Sequence, residues 1–242
     1  MTEIKFQKYK TRNPGYHWEQ ISKSLRKRNV YVIARYNLIL DLIANEIKNK
    51  KILDVGCGDG ALTYLLAKRG ANVIGIDNSK ETIKFAKERC GNFKNLDFQI
   101  ASVYELPFGN KNFDYVISSE IIEHLEYPEK MLSEINRIWN QHGKVIITTP
   151  IKFTQKPFDK MHYQEFFEED LKTLLGDYFP ENKIKIIKSH PLFWLEFYNR
   201  TILGHSLNKI FLNFLDLFFG FNPFQNTGRW KHYTLQIAII TK

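Results

Sequence analysis

The sequence predicts an α/β fold: a doubly wound, mainly parallel sheet of seven strands, with a helical arm ahead of it and a helical insertion before the last strand. Three observations carry this. Short apolar runs alternate with stretches of helical periodicity, a glycine-rich turn follows the first run, and an acid closes the second. Strands that alternate with helices of roughly 10 to 15 residues need crossover connections, and these impose parallel pairing.

The elements follow in order. Val32, Ile33, Tyr36, Leu40, Ile43 and Ile47 recur at helical spacing between Val30 and Lys48, ahead of the apolar run Lys50–Val55. A helix therefore leads into the first strand. Residues 60–69 form the next helix, stopped by Lys68, Arg69 and Gly70, because cations suit the last turn and glycine the position beyond it. Asn72–Ile76 is the second strand. Ser79 caps a helix that runs to Cys90 with Gly91 behind it, and Leu96–Ile100 alternates as the third strand. Phe113–Ser118 is the fourth. Pro128 opens a helix to Trp139, since proline at the first helical position gives up only an N–H that has no partner there. Gly143–Thr148 is the fifth strand, ended by Pro150, and Lys183–Lys188 and Tyr233–Thr241 are the last two. The organisation is an arm over 1–49, a core over 50–190, an insertion over 191–230 and a closing strand over 231–242.

Composition narrows the function classes. With 242 residues, 43% of them hydrophobic, the chain can bury a core, which excludes a disordered segment. Two cysteines, Cys57 and Cys90, build neither a disulfide framework nor a four-thiolate zinc site, and the start MTEIKFQKYK lacks the apolar stretch of a signal peptide. A cytoplasmic setting is expected, and the apolar runs are too short to span a membrane. The charge of +9 is uneven: residues 1–50 hold 11 Lys and Arg against 4 Asp and Glu, so the arm attracts anions.

The chemistry sits in Leu53-Asp54-Val55-Gly56-Cys57-Gly58-Asp59-Gly60, a strand-to-helix turn, together with Asp77 at the end of the next strand. Glycines there let the backbone turn tightly and approach a ligand. An acid about 20 residues beyond such a turn is also a dinucleotide signature. Two details oppose that reading. The spacing is G-x-G-x-G, and Asp54 and Asp59 flank the place where a pyrophosphate needs amide donors. A phosphate-free ligand with a nucleoside for Asp77 and a cationic amino acid for the acidic loop fits, and S-adenosylmethionine has both.

The ordered motifs D-V-G-C-G-D-G at 54–60, G-I-D-N-S at 75–79, L-P-F at 106–108 and F-D-Y-V-I-S-S-E-I-I-E-H-L at 113–125 resemble those of class I S-adenosylmethionine-dependent methyltransferases. The likeness spans about residues 50–150 and is nearest the branch with the ubiquinone-biosynthesis O-methyltransferases and other small-molecule methyltransferases. It implies a Rossmann-like methyltransferase fold. It also implies that Asp54 faces the methionine end and that Gly56, Cys57 and Gly58 make backbone room for it. Asp77 takes the ribose hydroxyls and Asn78 lies beside the adenine. Ser102 stands where the family often has an acid near the adenine amino group, followed by Val103, and Ser119 completes the expected cofactor contacts.

Methyl transfer from a sulfonium depends mainly on orientation, with a base useful for a hydroxyl acceptor. Glu123 and His124 are the expected catalytic pair. On a helical turn Glu120, Glu123 and His124 share a face, which makes a divalent-cation half-site, and His162 is positioned in sequence to complete it. The E-x-x-E-H string resembles that of small-RNA 2′-O-methyltransferases and some quinone O-methyltransferases, where it belongs to a metal site. No N-P-P-Y or D-P-P-Y string follows the fourth strand and no Pro-Cys nucleophile exists, which sets aside adenine-amine and pyrimidine-C5 methylation of nucleic acid.

Tyr16, His17, Trp18 and Tyr36 of the arm are expected to contact substrate. The insertion carries 11 of the chain's 35 aromatics, and its helices are expected to lie over the carboxyl ends of the strands and wall an acceptor pocket. Glu196, Arg200, Lys209, Asn213 and Asp216 form its polar strip, opposite a broad apolar face that packs on the domain, on a second copy in a homodimer, or on a membrane surface. The reading is a methyltransferase acting on a hydroxyl or amine of a small, partly apolar molecule: a sugar, a quinone or a lipid-linked intermediate. The alternatives are an RNA 2′-O-methyltransferase using the basic arm, with nucleic acid ranked below a small molecule as partner, and a non-catalytic S-adenosylmethionine-binding protein.

Overall fold

A computed structural model describes residues 13–242 apart from 45, 92, 154–156, 158 and 202–205. The first twelve residues of the arm therefore lie outside it. The described elements run α1 (Tyr16–Gln20), α2 (Val30–Ile43), β1 (Lys51–Val55), α3 (Ala61–Lys68), β2 (Asn72–Asp77), α4 (Lys80–Cys90), β3 (Leu96–Ile100) and β4 (Tyr115–Ser119). They continue with α5 (Pro128–Ile138), β5 (Val145–Pro150), α6 (Glu168–Gly176), β6 (Ile184–Pro191), α7 (Leu192–Asn199), α8 (Leu207–Phe219) and β7 (Tyr233–Ile240).

The seven strands form one sheet in the order β3-β2-β1-β4-β5-β7-β6, with β7 antiparallel to both neighbours and the other pairings parallel. The order reverses between β1 and β4. At that switch point the two connections leave in opposite directions and open a crevice at the carboxyl ends of the strands. Alternation along β1 divides the core. Leu53 and Val55 join Met131, Ile135 and Leu171 on one face, while Ile52 joins Ile39 and Ile43 of α2 and Leu66 of α3 on the other. Each of these aliphatic side chains, sealed from water, contributes about 1.5–3 kcal/mol.

The differences from the predicted elements have local causes. The leading helix ends at Ile43 rather than Lys48, and Asn49, at φ 63°, turns the chain into β1. Pro150 ends β5 from inside the ladder: β4 pairs only as far as Thr148, so Pro150 faces β7 alone and its missing N–H leaves no central ladder bond open. Helix α6 lies between Pro150 and Lys183, where the sequence predicts no helix; its apolar signal is three leucines, of which Leu171 and Leu175 are buried. The insertion leaves the sheet at Pro191, at the same end as the carboxyl end of β5, because β5 and β6 are both antiparallel to β7. It then packs on the first turns of α2 through Val30, Ala34, Tyr198, Leu212 and Phe224.

Candidate active site

Two adjoining cavities occupy the crevice, of about 220 Å³ and about 100 Å³. They share Gly56, Asp77 and Ile121, and so make one cleft across the glycine loop. Gly56 is the neck. Its φ is 73°, and a Cβ there would fall 2.3 Å from Ile121 Cδ1, so a side chain at this position would divide the cleft.

The larger cavity is lined by Asp77, Asn78, Ser102 and Val103, and beyond them by Tyr104, Leu125, Tyr127, Tyr163 and His124. Asp77 closes β2 and is held by two backbone donors, the Gly58 amide to Oδ2 at 3.0 Å and the Ser79 amide to Oδ1 at 2.9 Å. Burial raises its pKa, and those two hydrogen bonds oppose the rise. The smaller cavity gathers Asp54, Cys57, Ser119, His17, Tyr36, Arg35 and Glu120. Asp54 accepts from Thr63 Oγ1 at 2.7 Å, and burial pushes its carboxyl up to about 7. Burial likewise holds the Cys57 thiol well above its ordinary range, which removes it as a nucleophile.

Arg35 is the residue that sequence reasoning missed. It stands in the apolar run of α2 with its side chain 7% exposed, and its Nη1 lies 3.1 Å from Glu120 Oε2. Its buried Nε has no hydrogen-bond partner among the described residues. An unspent donor on a cation at a cleft is a place for an anionic ligand group. The available signal was a lone arginine amid Val32, Ile33, Ile39 and Leu40.

Glu120 does not share a face with Glu123 and His124, because its backbone is left-handed, with φ at 59°, and only Ile122–His124 make a helical turn, of the 3-10 type. The reversal turns Glu120 toward Arg35 and away from the histidines. Glu123, His124 and His162 do converge, their ligand atoms lying within 4.8 Å of one another. Each is anchored by its other atom. Thr149 Oγ1 donates to Glu123 Oε2 at 2.9 Å, His124 Nδ1 meets the Met161 carbonyl at 3.1 Å, and His162 Nδ1 meets Glu165 Oε1 at 2.7 Å. A carbonyl and a carboxylate only accept, so each imidazole donates from Nδ1, as the outer nitrogen of a metal-ligating histidine does. Glu123 Oε1 is buried without a hydrogen-bond partner among the described residues, 4.0 Å from His124 Nε2, and burial, reinforced by Glu120, holds its pKa well above normal.

The arm residues divide. His17 and Tyr36 reach the smaller cavity, whereas Tyr16 and Trp18 line neither. Tyr16 packs edge-on against His17. Trp18 Nε1 donates to the Asp59 carbonyl at 2.8 Å and its ring lies 4.9 Å from Tyr64, so it fastens the arm to the outside of the glycine loop. Asp59 completes that fastening by accepting from the His17 amide at 2.7 Å, and its fully buried carboxylate serves the fold. None of the described residues of 191–230 lines either cavity. The insertion packs on the first turns of α2, and its described residues do not wall an acceptor pocket here as expected.

This donor set suits a cationic nucleoside ligand: carboxylates at both ends, Arg35 for a carboxylate and, among the described lining residues, no cation cluster for a pyrophosphate. A profile of the methyltransferase domain family matches residues 46–197. A ubiquinone biosynthesis O-methyltransferase of Pelagibacter ubique is 36% identical over 104 residues, 43% of each chain. A probable S-adenosylmethionine-dependent methyltransferase of Mycolicibacterium smegmatis is 26% identical over 150 residues, 60% of this chain and 57% of that one. The chain thus spans about half the length of the curated relatives it matches. Among solved structures, the PH0226 protein of Pyrococcus horikoshii superposes with a TM-score of 0.60 at 18% identity, covering 98% of this chain and 99% of that one. The Haemonchus contortus phosphoethanolamine N-methyltransferase 2, solved with S-adenosylhomocysteine, gives 0.63 at 20% identity over 86% of this chain and 52% of that one. These two likenesses carry the fold alone.

Proposed function

Because the chain belongs to the class I S-adenosylmethionine-dependent methyltransferases, we propose that it transfers the cofactor's methyl group to a hydroxyl or amine of a small, partly apolar acceptor. The observation that carries this is the single cleft running from Asp77 and Asn78, past Gly56, to Asp54 and Arg35. The bound cofactor supplies an activated methyl group. Asp77 would receive the ribose hydroxyls, Arg35 Nε would donate to the carboxylate of the amino-acid end, and Asp54 would stand by its ammonium. Gly56, without a side chain, would leave room for that cofactor to pass between the two cavities. Tyr104, Tyr127, Tyr163 and Leu125 give the acceptor an aromatic, partly apolar wall, in keeping with a sugar, quinone or lipid-linked molecule.

His124 stands on that wall and is the group placed to take a proton from a hydroxyl acceptor. Glu123 is buried and anchored behind it, so its part is to position His124 or to ligate. In a second reading Glu123, His124 and His162 would hold one divalent cation; His124 would then be a ligand instead of the base, and the ion would orient and polarise an acceptor hydroxyl. The test is methyl transfer from labelled S-adenosylmethionine into cell extract fractionated into polar metabolites, lipids and RNA. Label in the lipid or metabolite fraction supports the reading, and label confined to RNA overturns it. Calorimetry with S-adenosylhomocysteine tests the cofactor cleft by itself.

A further inference from the structure

Helix α8 turns its four phenylalanines to water. Its polar residues face inward: Asn208 Nδ2 donates to the Phe197 carbonyl at 2.9 Å, and Asn213 Nδ2 donates to the carbonyls of Leu25 and Arg28 at 2.7 Å each. Asp216 accepts from Arg28 Nε at 2.8 Å. Leu212 is buried beside them, while the bulkier apolar residues face out. Leu207, Phe211, Phe214 and Phe218 make one stripe, exposed at 51%, 52%, 39% and 63%, and Phe219, at 70%, and Phe221 continue it past the helix end. Phe193 and Trp230, both exposed, stack with ring centres 5.5 Å apart. A surface helix ordinarily presents the opposite face to water, and an apolar patch of this kind marks an interaction surface.

The charges around the patch select its occupant. Lys23 and Arg26 are exposed on the loop that receives Asn213, Arg229 and Lys231 flank Trp230, and Arg200 ends α7. Over residues 191–232 the only acids are Glu196 and Asp216, and Asp216 is already paired with Arg28. Two copies joined through this face would bring cation against cation. An anionic bilayer supplies the opposite charge, along with an interface into which phenylalanine and tryptophan partition. Thirteen residues of helix reach only about 20 Å, so α8 lies in the plane of a membrane rather than across it.

We propose that the outer face of α8, with Phe219, Phe221, Phe193 and Trp230, docks this protein on the surface of an anionic lipid bilayer. The insertion leaves the sheet at the end where the cleft opens, which suits an acceptor drawn from the membrane, although docking does not depend on the acceptor's identity.

Flotation of the full chain with phosphatidylcholine vesicles, with and without phosphatidylglycerol, tests this. The protein is expected to float with the anionic vesicles and to be released by salt. The double variant Phe218→Ser/Phe219→Ser, altered only at exposed positions, is expected to lose binding by about tenfold or more, and Arg229→Glu/Lys231→Glu to lose the preference for anionic lipid. Unchanged circular dichroism and S-adenosylhomocysteine affinity in these variants separate failure of docking from failure of the fold or the cleft. Wild-type protein that floats with neither vesicle overturns the proposal. So does a dimer in sedimentation equilibrium that Phe218→Ser/Phe219→Ser dissociates, since a second copy would then cover the face.

Discussion

Replacing Arg35 by Met separates what this residue does for the fold from what it does for the ligand. Its side chain is 7% exposed and that of its partner Glu120 is 20% exposed, across a 3.1 Å contact. Removing the cation strands a largely buried carboxylate, which in a sealed interior costs about 3–5 kcal/mol. Glu120 keeps some access to water, so about 2–3 kcal/mol is expected, read as a fall in thermal or denaturant midpoint. Arg35→Met/Glu120→Gln takes away the stranded charge, and its stability is expected within about 1 kcal/mol of the parent. The ligand responds differently. A hydrogen bond from Arg35 Nε to a carboxylate contributes about 1.5–3 kcal/mol, so S-adenosylhomocysteine binds about 10- to 150-fold more weakly to the single and the double variant alike. Calorimetry on the double variant decides. If it binds the ligand as the parent does, Arg35 is only the partner of Glu120, and the orientation of the amino-acid end in the cleft is misassigned.

Three further outcomes are expected. Asp77→Ala, which removes the acceptor at the end of β2, weakens S-adenosylhomocysteine binding by at least about tenfold in calorimetry, and unchanged affinity would refute the ribose assignment. Titration with Mn²⁺ shows one site per chain in the parent and none in His162→Ala, and a chelator removes methyl transfer that Mg²⁺ or Mn²⁺ restores; a parent chain that takes up no cation refutes the metal reading. Burial pushes Asp54 up to about 7 from 3.8, so the folded chain retains a proton that the unfolded chain has already released. Stability therefore falls by up to about 4 kcal/mol as pH rises from about 4 to 7, and Asp54→Asn flattens that fall in pH-resolved thermal melts.

Much of this arrangement is legible in the sequence because it rests on local rules. Apolar runs that end in Asp54 and Asp77 read as buried parallel strands, and glycines at 56, 58 and 60 read as a turn that a ligand can approach, since only backbone geometry is involved. Contacts across the chain are less accessible. His124 and His162 stand on connections that follow neighbouring strands β4 and β5, so their approach depends on strand order. Helical spacing placed Glu120 with Glu123 and His124, yet spacing presumes right-handed backbone throughout, and the left-handed turn at Glu120 defeats it. Trp18 and Asp59 look like ligand contacts from composition, but the short arm helix needs an anchor and takes them for that purpose.

Arg35 and α8 share one physical cause. Periodicity finds the two faces of a helix but does not say which one is turned inward, and the usual assumption, apolar face in, holds when the neighbouring surface is apolar. Beneath α8 the surface is apolar only around Leu212, which packs with Val30, Ala34, Tyr198 and Phe224. It presents the carbonyls of Leu25, Arg28 and Phe197, which need donors once covered, together with the Arg28 guanidinium, which needs an acid. An apolar face laid there would leave those groups unpaired at about 1–3 kcal/mol each, more than a phenylalanine stripe recovers where the contact surface is polar. Asn208, Asn213 and Asp216 therefore turn inward and the aromatic stripe is displaced to the outside. Arg35 is buried by the same rule, drawn in by Glu120. In both places a polar partner fixes the orientation, and what it leaves over, an arginine Nε in one case and a row of phenylalanines in the other, is what remains for a ligand or a membrane to meet.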